Sequence, residues 1–182
     1  MKETLLFDQY SLKLTLDRLA QQLIEDHRDF KNTVLLGLQP RGVHFGDRIV
    51  ERLAQEGIQV PYGRLDATFY RDDFRRNEDV LQPNATQVDF LVENKHVVLL
   101  DDVFYTGRTV RAAISAMMAF GRPERVDLMV LIDRLYSRHL PIEPRYTGRT
   151  TNTIQSQRVR VQWSEAGHEQ DAVYLIHNQS EQ

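Results

Sequence analysis

The residues of this chain best suited to chemistry lie in one run, where an apolar segment ends in two acids and a hydroxyl-rich turn. Residues 97–100 are Val-Val-Leu-Leu, which favours a buried parallel strand. Residues 110–120, VRAAISAMMAF, favour a helix. The turn between them therefore lies at a predicted helix N-terminus, where free amides, the helix dipole and nearby hydroxyls favour a phosphate group. The candidate residues of this run are Asp101, Asp102, Tyr105, Thr106, Gly107, Arg108 and Thr109.

The two acids need a separate explanation, because carboxylates beside a phosphate repel it unless they face something else. Ribose hydroxyls and a metal ion are the candidates, and a phosphorylated sugar would supply the hydroxyls. A plainer alternative makes Asp101 a helix cap and Asp102 a solvated charge. Neither a P-loop motif nor a dinucleotide-binding glycine motif occurs in the chain, so two other kinds of phosphate site are unsupported.

The composition indicates an ordinary globular domain with one main core. The chain has 182 residues, 41% hydrophobic and 27% charged, with a formal net charge of −3. These values exclude a disordered chain and a protein that coats nucleic acid broadly. The absence of cysteine excludes disulfides and thiolate metal sites and fits a cytoplasmic location. No run approaches the roughly 20 apolar residues of a membrane span, so we expect no membrane partner.

The remaining pattern predicts an α/β fold with a mostly parallel, twisted sheet and helices on both faces. Helices are predicted over Ser11–His27 and Val43–Gln55, and buried strands over Thr33–Leu38 and Val126–Asp133. Residues 60–70 read as extended, and the polar residues 71–86 that follow read as the tip of a hairpin. From residue 140 onward short alternating stretches predict a small second lobe, packed with the N-terminal segment.

Ligands of such sheets bind at the carboxyl ends of the strands, where two further loops and a hairpin offer candidate residues. The loop of residues 39–42 contains Arg41, whose forked cation suits phosphate oxygens, and Gly42, which lets backbone amides approach an anion. A simple turn with a surface arginine is the alternative. Residues 70–73 could form a mobile flap or a solvated turn, and Arg134 could be structural or could face a base.

The run around the two acids resembles the phosphoribosyl-pyrophosphate (PRPP) signature of type I phosphoribosyltransferases. Residues 104–112 are more specifically similar to the PyrR family, pyrimidine operon attenuators that are also uracil phosphoribosyltransferases. The similarity extends to residues 38–42, 70–73, 121–123, 133–134 and 140–142, and so to nearly the whole chain. It implies a single domain over residues 1–182, with a core of about residues 30–135, a hood of about residues 1–29 and 136–182, and a flexible hairpin lid.

The resemblance also implies an activity, the conversion of uracil and PRPP to UMP and pyrophosphate with Mg²⁺. By this resemblance Asp101 and Asp102 hold the ribose diol and are candidates for the metal, while residues 105–109 hold the 5′-phosphate. Arg134 and the main chain near Val159 would read the uracil edge. The pyrophosphate loop would comprise Gln39, Pro40, Arg41 and Gly42, with Arg41 on the leaving group, and the lid would comprise Tyr70, Arg71, Asp72 and Asp73.

Two alternatives stay open at this point. A purine phosphoribosyltransferase is disfavoured by Tyr105, because purine-using relatives usually carry an aspartate there. The second alternative is a UMP-sensing, RNA-binding regulator in which catalysis is vestigial. Leu135 and Tyr136 depart from the Gly-His that relatives usually carry, which affects the wall facing the base.

RNA binding is the property for which this chain departs most from its relatives. The resemblance places Asp17 and Gln21 where RNA-binding relatives carry threonine and histidine, and Glu143 where they carry arginine, whereas Arg18 and Arg149 match basic positions. Acids where phosphates would lie weaken RNA binding. We expect a catalytically competent homo-oligomer, a dimer or larger, with weak RNA binding.

Overall fold

The computed structural model describes residues 2–71, 85–136, 138–154 and 156–177. Its strands are β1 (Lys2–Phe7), β2 (Thr33–Leu38), β3 (Tyr62–Leu65), β4 (His96–Phe104), β5 (Arg125–Leu135), β6 (Tyr146–Asn152), β7 (Gln157–Gln162) and β8 (Ala172–His177). Its helices are α1 (Gln9–His27), α2 (Gly42–Gln55) and α3 (Arg108–Met117), with short 3₁₀ turns at Thr68–Tyr70, Met118–Phe120 and Ser164–Ala166. None of the helices in these described ranges has the length and apolar character to cross a membrane.

The core is a five-stranded parallel sheet in the order β3-β2-β4-β5-β6. Its central strands are buried on both faces, which explains their unbroken apolar runs. Leu35, Val98 and Met129 face a cluster with α1 and α2, while Leu36, Leu99 and Val130 face a cluster with α3. The predicted α/β class, with helices on both faces of a parallel sheet, is therefore confirmed.

The hood is a three-stranded antiparallel sheet, β1-β8-β7, built from both ends of the described chain. The hood is therefore formed by the N- and C-terminal segments, as predicted from the sequence. The predicted hood boundary is wrong for β6, however, because this strand pairs with β5 through six residue pairs and completes the parallel sheet instead. Because β6 is an edge strand with exposed residues, its sequence is polar and threonine-rich. It therefore lacks the apolar run from which a buried strand is predicted.

Two observed element boundaries differ from the predicted ones because aspartate side chains cap nearby backbone amides. Helix α1 begins at Gln9 rather than Ser11, since the Asp8 side chain accepts a hydrogen bond of 2.8 Å from the Ser11 amide. The extended segment predicted over residues 60–70 is a strand only over β3. Beyond it the Asp66 side chain accepts from the amide of Thr68 at 2.8 Å and turns the chain.

The predicted hairpin is described only at its base and its start. Arg64 and Gln87 form an antiparallel bridge, with main-chain hydrogen bonds of 2.9 and 2.8 Å. Tyr70 and Arg71 are described, whereas the predicted lid residues Asp72 and Asp73 lie outside the described residues. The lid therefore stays a prediction.

The contact between α2 and β4 leaves no room for a side chain at Gly42. A Cβ atom there would lie 2.5 Å from the Leu100 carbonyl oxygen and 3.1 Å from a carboxylate oxygen of Asp101. Glycine at this position therefore lets the start of α2 rest directly on the main chain of β4. The loop before α2 and the acids at the end of β4 are fixed side by side.

Candidate active site

The carboxyl ends of β2, β4 and β5 open into a cavity of about 700 Å³, which we call the central cavity. It brings together residues that the sequence nominated from separate loops and from the hood. Its lining comprises Gln39, Pro40, Arg41, Arg71, Asp101, Asp102, Val103, Tyr105, Thr109, Arg134, Arg158 and Val159. The roles of the individual residues remain predictions, but their meeting in one cavity is a feature of the structure.

Asp101 and Asp102 lie within β4 and are 9% and 6% exposed. Burial and the neighbouring charge of Asp102 hold the pKa of Asp101 well above its usual value. Burial also raises the pKa of Asp102, against the opposing positive charge of Arg41. The plainer alternative of a helix cap and a solvated charge is wrong, since both acids are buried and α3 is preceded by Gly107. These carboxylates are suited to hydroxyl donors or a cation.

A second cavity, of about 290 Å³, lies at the loop after β4 and the start of α3. It is lined by residues 103–110 and by Arg71 and His139. Gly107 has a φ of +89°, a left-handed conformation that favours glycine and lets the chain turn from strand into helix. The helix begins at Arg108, two residues before the predicted start. Amides of the first helical turn lack a partner within the helix, which suits them to bind an anion, and the Arg108 amide lies 3.4 Å from the Thr106 hydroxyl oxygen.

The loop after β2 places Arg41 at the rim of the central cavity. This arginine immediately precedes α2, is exposed, and lies near enough to both acids to oppose the rise in their pKa values. Gln39 and Pro40 line the same cavity, and Gln39 also donates to the Ala85 carbonyl at 2.7 Å. Cation and carboxylates therefore face one space from adjacent strands.

Arg134 lies at the end of β5, where its side chain is buried and held in place by its neighbours. Its guanidinium lies 3.8 Å from the centre of the Tyr105 ring, a cation–π contact. Its Nε donates to the Thr153 hydroxyl and an NH2 group donates to the Gln157 carbonyl, both at 2.9 Å. Burial lowers the pKa of Arg134. Val159 of β7 lies on the same cavity, so the hood supplies its far wall.

Arg138 ties the loops after β4 and β5 together, a role that sequence reasoning missed. It donates to the carbonyls of Tyr105 at 3.0 Å and Arg134 at 3.2 Å, and it pairs with the Asp133 carboxylate. Its guanidinium also lies 3.9 Å from the centre of the Phe104 ring. The chain gave only a weak signal for this role, an arginine within an arginine-rich stretch.

Arg158 is a second residue that sequence reasoning passed over. It lines the central cavity and also an adjoining cavity of about 530 Å³, which contains Arg41, His44 and His168. Within the described part of the chain no ion pair neutralises Arg158, whereas Arg160, two residues further along β7, pairs with Glu3 at 2.9 Å.

The residues nominated for RNA contact lie around the junction of α1 and β6. Arg18 donates to the carbonyls of Gly148 at 2.6 Å and Thr147 at 3.3 Å, and Arg149 donates to the Leu6 carbonyl. Asp17 pairs with Arg52 at 2.7 Å. Gln21 and Glu143 are exposed.

The model of the phosphoribosyl transferase domain family matches residues 5–166. A "Bifunctional protein PyrR" of Limosilactobacillus fermentum is 45% identical over 89% of this chain and 92% of its own length. A protein of the same name from Listeria monocytogenes is 40% identical over 98% of this chain and 99% of its own length. This chain belongs to the PyrR family of phosphoribosyltransferases.

Other similarities agree with membership of the PyrR family. A "Pyrimidine operon regulatory protein" of Lactococcus lactis is 41% identical over 88% of this chain and 90% of its own length. A hypoxanthine phosphoribosyltransferase structure from Trypanosoma cruzi matches with a TM-score of 0.71 at 14% identity, over 96% of each chain. One from Staphylococcus aureus gives 0.69 at 18% identity, over 93% of this chain and 90% of that one. These solved structures confirm the predicted type I phosphoribosyltransferase fold.

The contacts of Arg138 predict that this PyrR-family chain needs it to hold the loop after β4. Arg138→Met should lower the unfolding free energy by about 1–3 kcal/mol, because Asp133 would stay buried without its charged partner. Urea denaturation measures this, and amide exchange of residues 105–109 should accelerate. Arg122→Met, at an exposed arginine, is the control. If Asp133→Asn in the Arg138→Met background restores none of the lost stability, the ion pair is not the cause.

Proposed function

We propose that this chain is a uracil phosphoribosyltransferase that makes UMP and pyrophosphate from uracil and PRPP. The observation that carries the proposal is the central cavity, where the buried acid pair, Arg41 and the phosphate-type loop meet around one space. A phosphorylated sugar carries both the hydroxyls that suit the acids and the phosphate that suits the loop. The PyrR-family relatives support the assignment to pyrimidine rather than purine chemistry.

In the proposed reaction the bond between the sugar carbon and the pyrophosphate oxygen breaks, a bond to a uracil nitrogen forms, and the proton of that nitrogen is lost to the departing pyrophosphate or to solvent. Positive charge develops on the sugar as pyrophosphate leaves, so catalysis depends on positioning and on stabilising the leaving group. Asp101 and Asp102 would hold the ribose diol, and residues 105–109 the 5′-phosphate. Arg41 would neutralise charge on the departing pyrophosphate. Arg158 faces the same side of the cavity and would add a second cation there.

The acid pair also fits the Mg²⁺ that the proposed chemistry uses. Two adjacent buried carboxylates with raised pKa values are oxygen donors that a hard cation stabilises in their charged form. When bound, Mg²⁺ would neutralise charge on the pyrophosphate group. The chain's own part is to hold the sugar and to keep Arg41 aimed at the leaving group.

The base side is proposed to lie between Arg134 and the main chain at Val159. Arg134 offers donors from a fixed position, because Thr153, Gln157 and the Tyr105 ring hold its guanidinium. Uracil presents carbonyl acceptors and an N–H donor, which a fixed arginine and backbone groups can match. Tyr105 supplies no carboxylate for a purine ring nitrogen, so a purine activity has no proton-accepting group at this position.

Substrate choice tests the proposal directly. With PRPP and Mg²⁺, uracil should be converted to its nucleotide far faster than hypoxanthine, guanine or adenine, with products resolved by chromatography. A companion variant, Thr109→Val, removes one hydroxyl donor of the phosphate loop with little change of shape and should raise the KM for PRPP. Comparable rates with any purine would refute the pyrimidine assignment, and a folded Thr109→Val enzyme with unchanged kinetics would remove the loop from the site.

The Arg134 contacts predict a separable effect on the base. Thr153→Val keeps the side-chain shape but removes the acceptor of the Nε bond, so Arg134 loses a fixed orientation. The KM for uracil should rise about tenfold, equivalent to about 1.4 kcal/mol, with the KM for PRPP nearly unchanged. Thr150→Val, at an exposed position of β6, is the matched control. Equal increases in both KM values would indicate a general disturbance instead of a role in base binding.

We further propose that the chain acts in the cytoplasm as a homo-oligomer and takes part in regulating pyrimidine genes through RNA. The name of the Lactococcus lactis relative supports the regulatory part. The α1–β6 surface suggests that RNA binding is weak. The two basic residues nominated for RNA contact, Arg18 and Arg149, already donate to main-chain carbonyls, and Asp17 and Glu143 are acids at positions where relatives carry none.

A double charge change tests that surface. Asp17→Thr with Glu143→Arg should strengthen binding to a pyrimidine-operon leader by about a hundredfold, since it removes two repulsive charges and releases Arg52 from its ion pair. UMP synthesis should be unaffected. Asp89→Thr with Glu124→Arg makes the same change in net charge elsewhere and controls for nonspecific attraction. Filter binding at two salt concentrations measures the effect, and tight, UMP-stimulated binding by the unaltered chain would contradict it.

A further inference from the structure

A cluster of possible metal ligands lies at the opposite end of β4 from the acid pair. His96 is the first residue of β4, His27 the last residue of α1, and Asp127 lies near the start of β5. One ligand atom from each of these residues lies within 4.8 Å of the other two. Five residue-to-residue steps along the extended strand, about 17 Å, separate His96 from Asp101. The cluster is therefore distinct from the central cavity.

The three side chains already contact one another or share neighbours. His96 Nε2 lies 2.7 Å from Asp127 Oδ2, and the imidazole centres of His27 and His96 are 4.4 Å apart. All three residues are of intermediate burial, and the side chains of His96 and Asp127 are 23% and 9% exposed. Two imidazoles and a carboxylate, brought together from three elements far apart in sequence, form a typical three-ligand set for a transition metal with an open fourth position.

We propose that His27, His96 and Asp127 form a binding site for a divalent cation of the zinc type. Tetrahedral zinc with ligand bonds of about 2.0–2.2 Å separates its donor atoms by about 3.3 Å. This separation falls between the present 2.7 Å of His96 and Asp127 and the 4.8 Å limit of the set. Small side-chain rotations therefore suffice, with water as the fourth ligand.

The residues around the cluster hold its ligands in suitable orientations. Thr33 Oγ1 lies 2.8 Å from His27 Nδ1, which leaves Nε2 to face the ion. At present His27 Nε2 contacts the Tyr146 hydroxyl at 3.2 Å, but that hydroxyl also donates to Asp26 at 2.8 Å and keeps this partner when the ion binds. Supporting hydrogen bonds of this kind commonly accompany metal-binding histidines and carboxylates.

The charges around the cluster are compensated before any ion binds. Asp26 accepts from Nε and an NH2 group of Arg145, at 3.1 and 2.9 Å, and Arg125 Nε donates to Asp127 Oδ1 at 3.1 Å. Burial and the adjacent His96 lower the pKa of His27 to about 4. Imidazole nitrogen also selects against Mg²⁺, which prefers oxygen.

A bound ion would join the end of α1 to the starts of β4 and β5. Because it binds the folded chain with all three ligands in place, it stabilises that chain by mass action. The effect would be structural, at the far edge of the sheet from the proposed transfer reaction. It would also leave the Mg²⁺ requirement of that reaction unchanged.

Calorimetric titration of the chelator-stripped full chain with zinc chloride tests the site, with thermal unfolding as a second measurement. We expect one ion per chain, a raised Tm with zinc, and no similar effect of magnesium chloride. His96→Gln and His27→Gln should each weaken binding at least tenfold and abolish the Tm shift, whereas His168→Gln, an exposed histidine elsewhere, should change neither.

Absence of zinc binding by the unaltered chain would overturn the proposal, as would undiminished binding in His96→Gln. Should His27→Gln fail to fold, His96→Gln and Asp127→Asn decide the matter, because circular dichroism reports their folding independently of zinc. The outcome does not depend on uracil phosphoribosyltransferase activity, so it leaves the proposed function untouched.

Discussion

Two adjacent carboxylates buried at the end of the central strand impose the main constraint on this molecule. Burial raises the pKa of both acids, and the positive charge of Arg41 together with backbone hydrogen bonds opposes that rise. Such an arrangement lowers the stability of the folded chain unless a ligand or a cation compensates the two buried charges. The surrounding elements follow from this constraint: α2 rests on β4 through Gly42, and the phosphate-type loop leaves β4 three residues later.

Arginines organise the remainder of the site in two different ways. Arg134 is held by a hydroxyl, a carbonyl and the Tyr105 ring and forms a fixed part of the cavity wall, whereas Arg138 holds together the loops behind it. Arg41 and Arg158 face the cavity as exposed cations. In the proposed function Arg134 would recognise a flat, neutral base, and the exposed pair would face a departing anion whose charge grows as its bond breaks.

The sequence predicted the parallel core and the run around Asp101 because both depend on local pattern. Apolar runs identify buried strands, and the order of acids, hydroxyls and glycine identifies the loop. The place of β6 was not predictable in this way, because an edge strand can be polar and its pairing with β5 is a long-range choice. Arg138 and Arg158 were missed for a related reason. Nothing in the residues next to an arginine distinguishes a side chain that ties two loops from one that is merely solvated.

The hood gives the site an order of assembly during synthesis. The strand that carries Val159, β7, pairs with β8, and β8 pairs in turn with β1 at the other end of the described chain. The acid pair, Arg41 and the loop before α3 all precede β7 and β8 in the sequence, on elements whose partners are nearer neighbours. During synthesis, the elements of the wall proposed for the sugar phosphate can thus fold before β8 has been made. The wall proposed for the base is complete only once β8 is available.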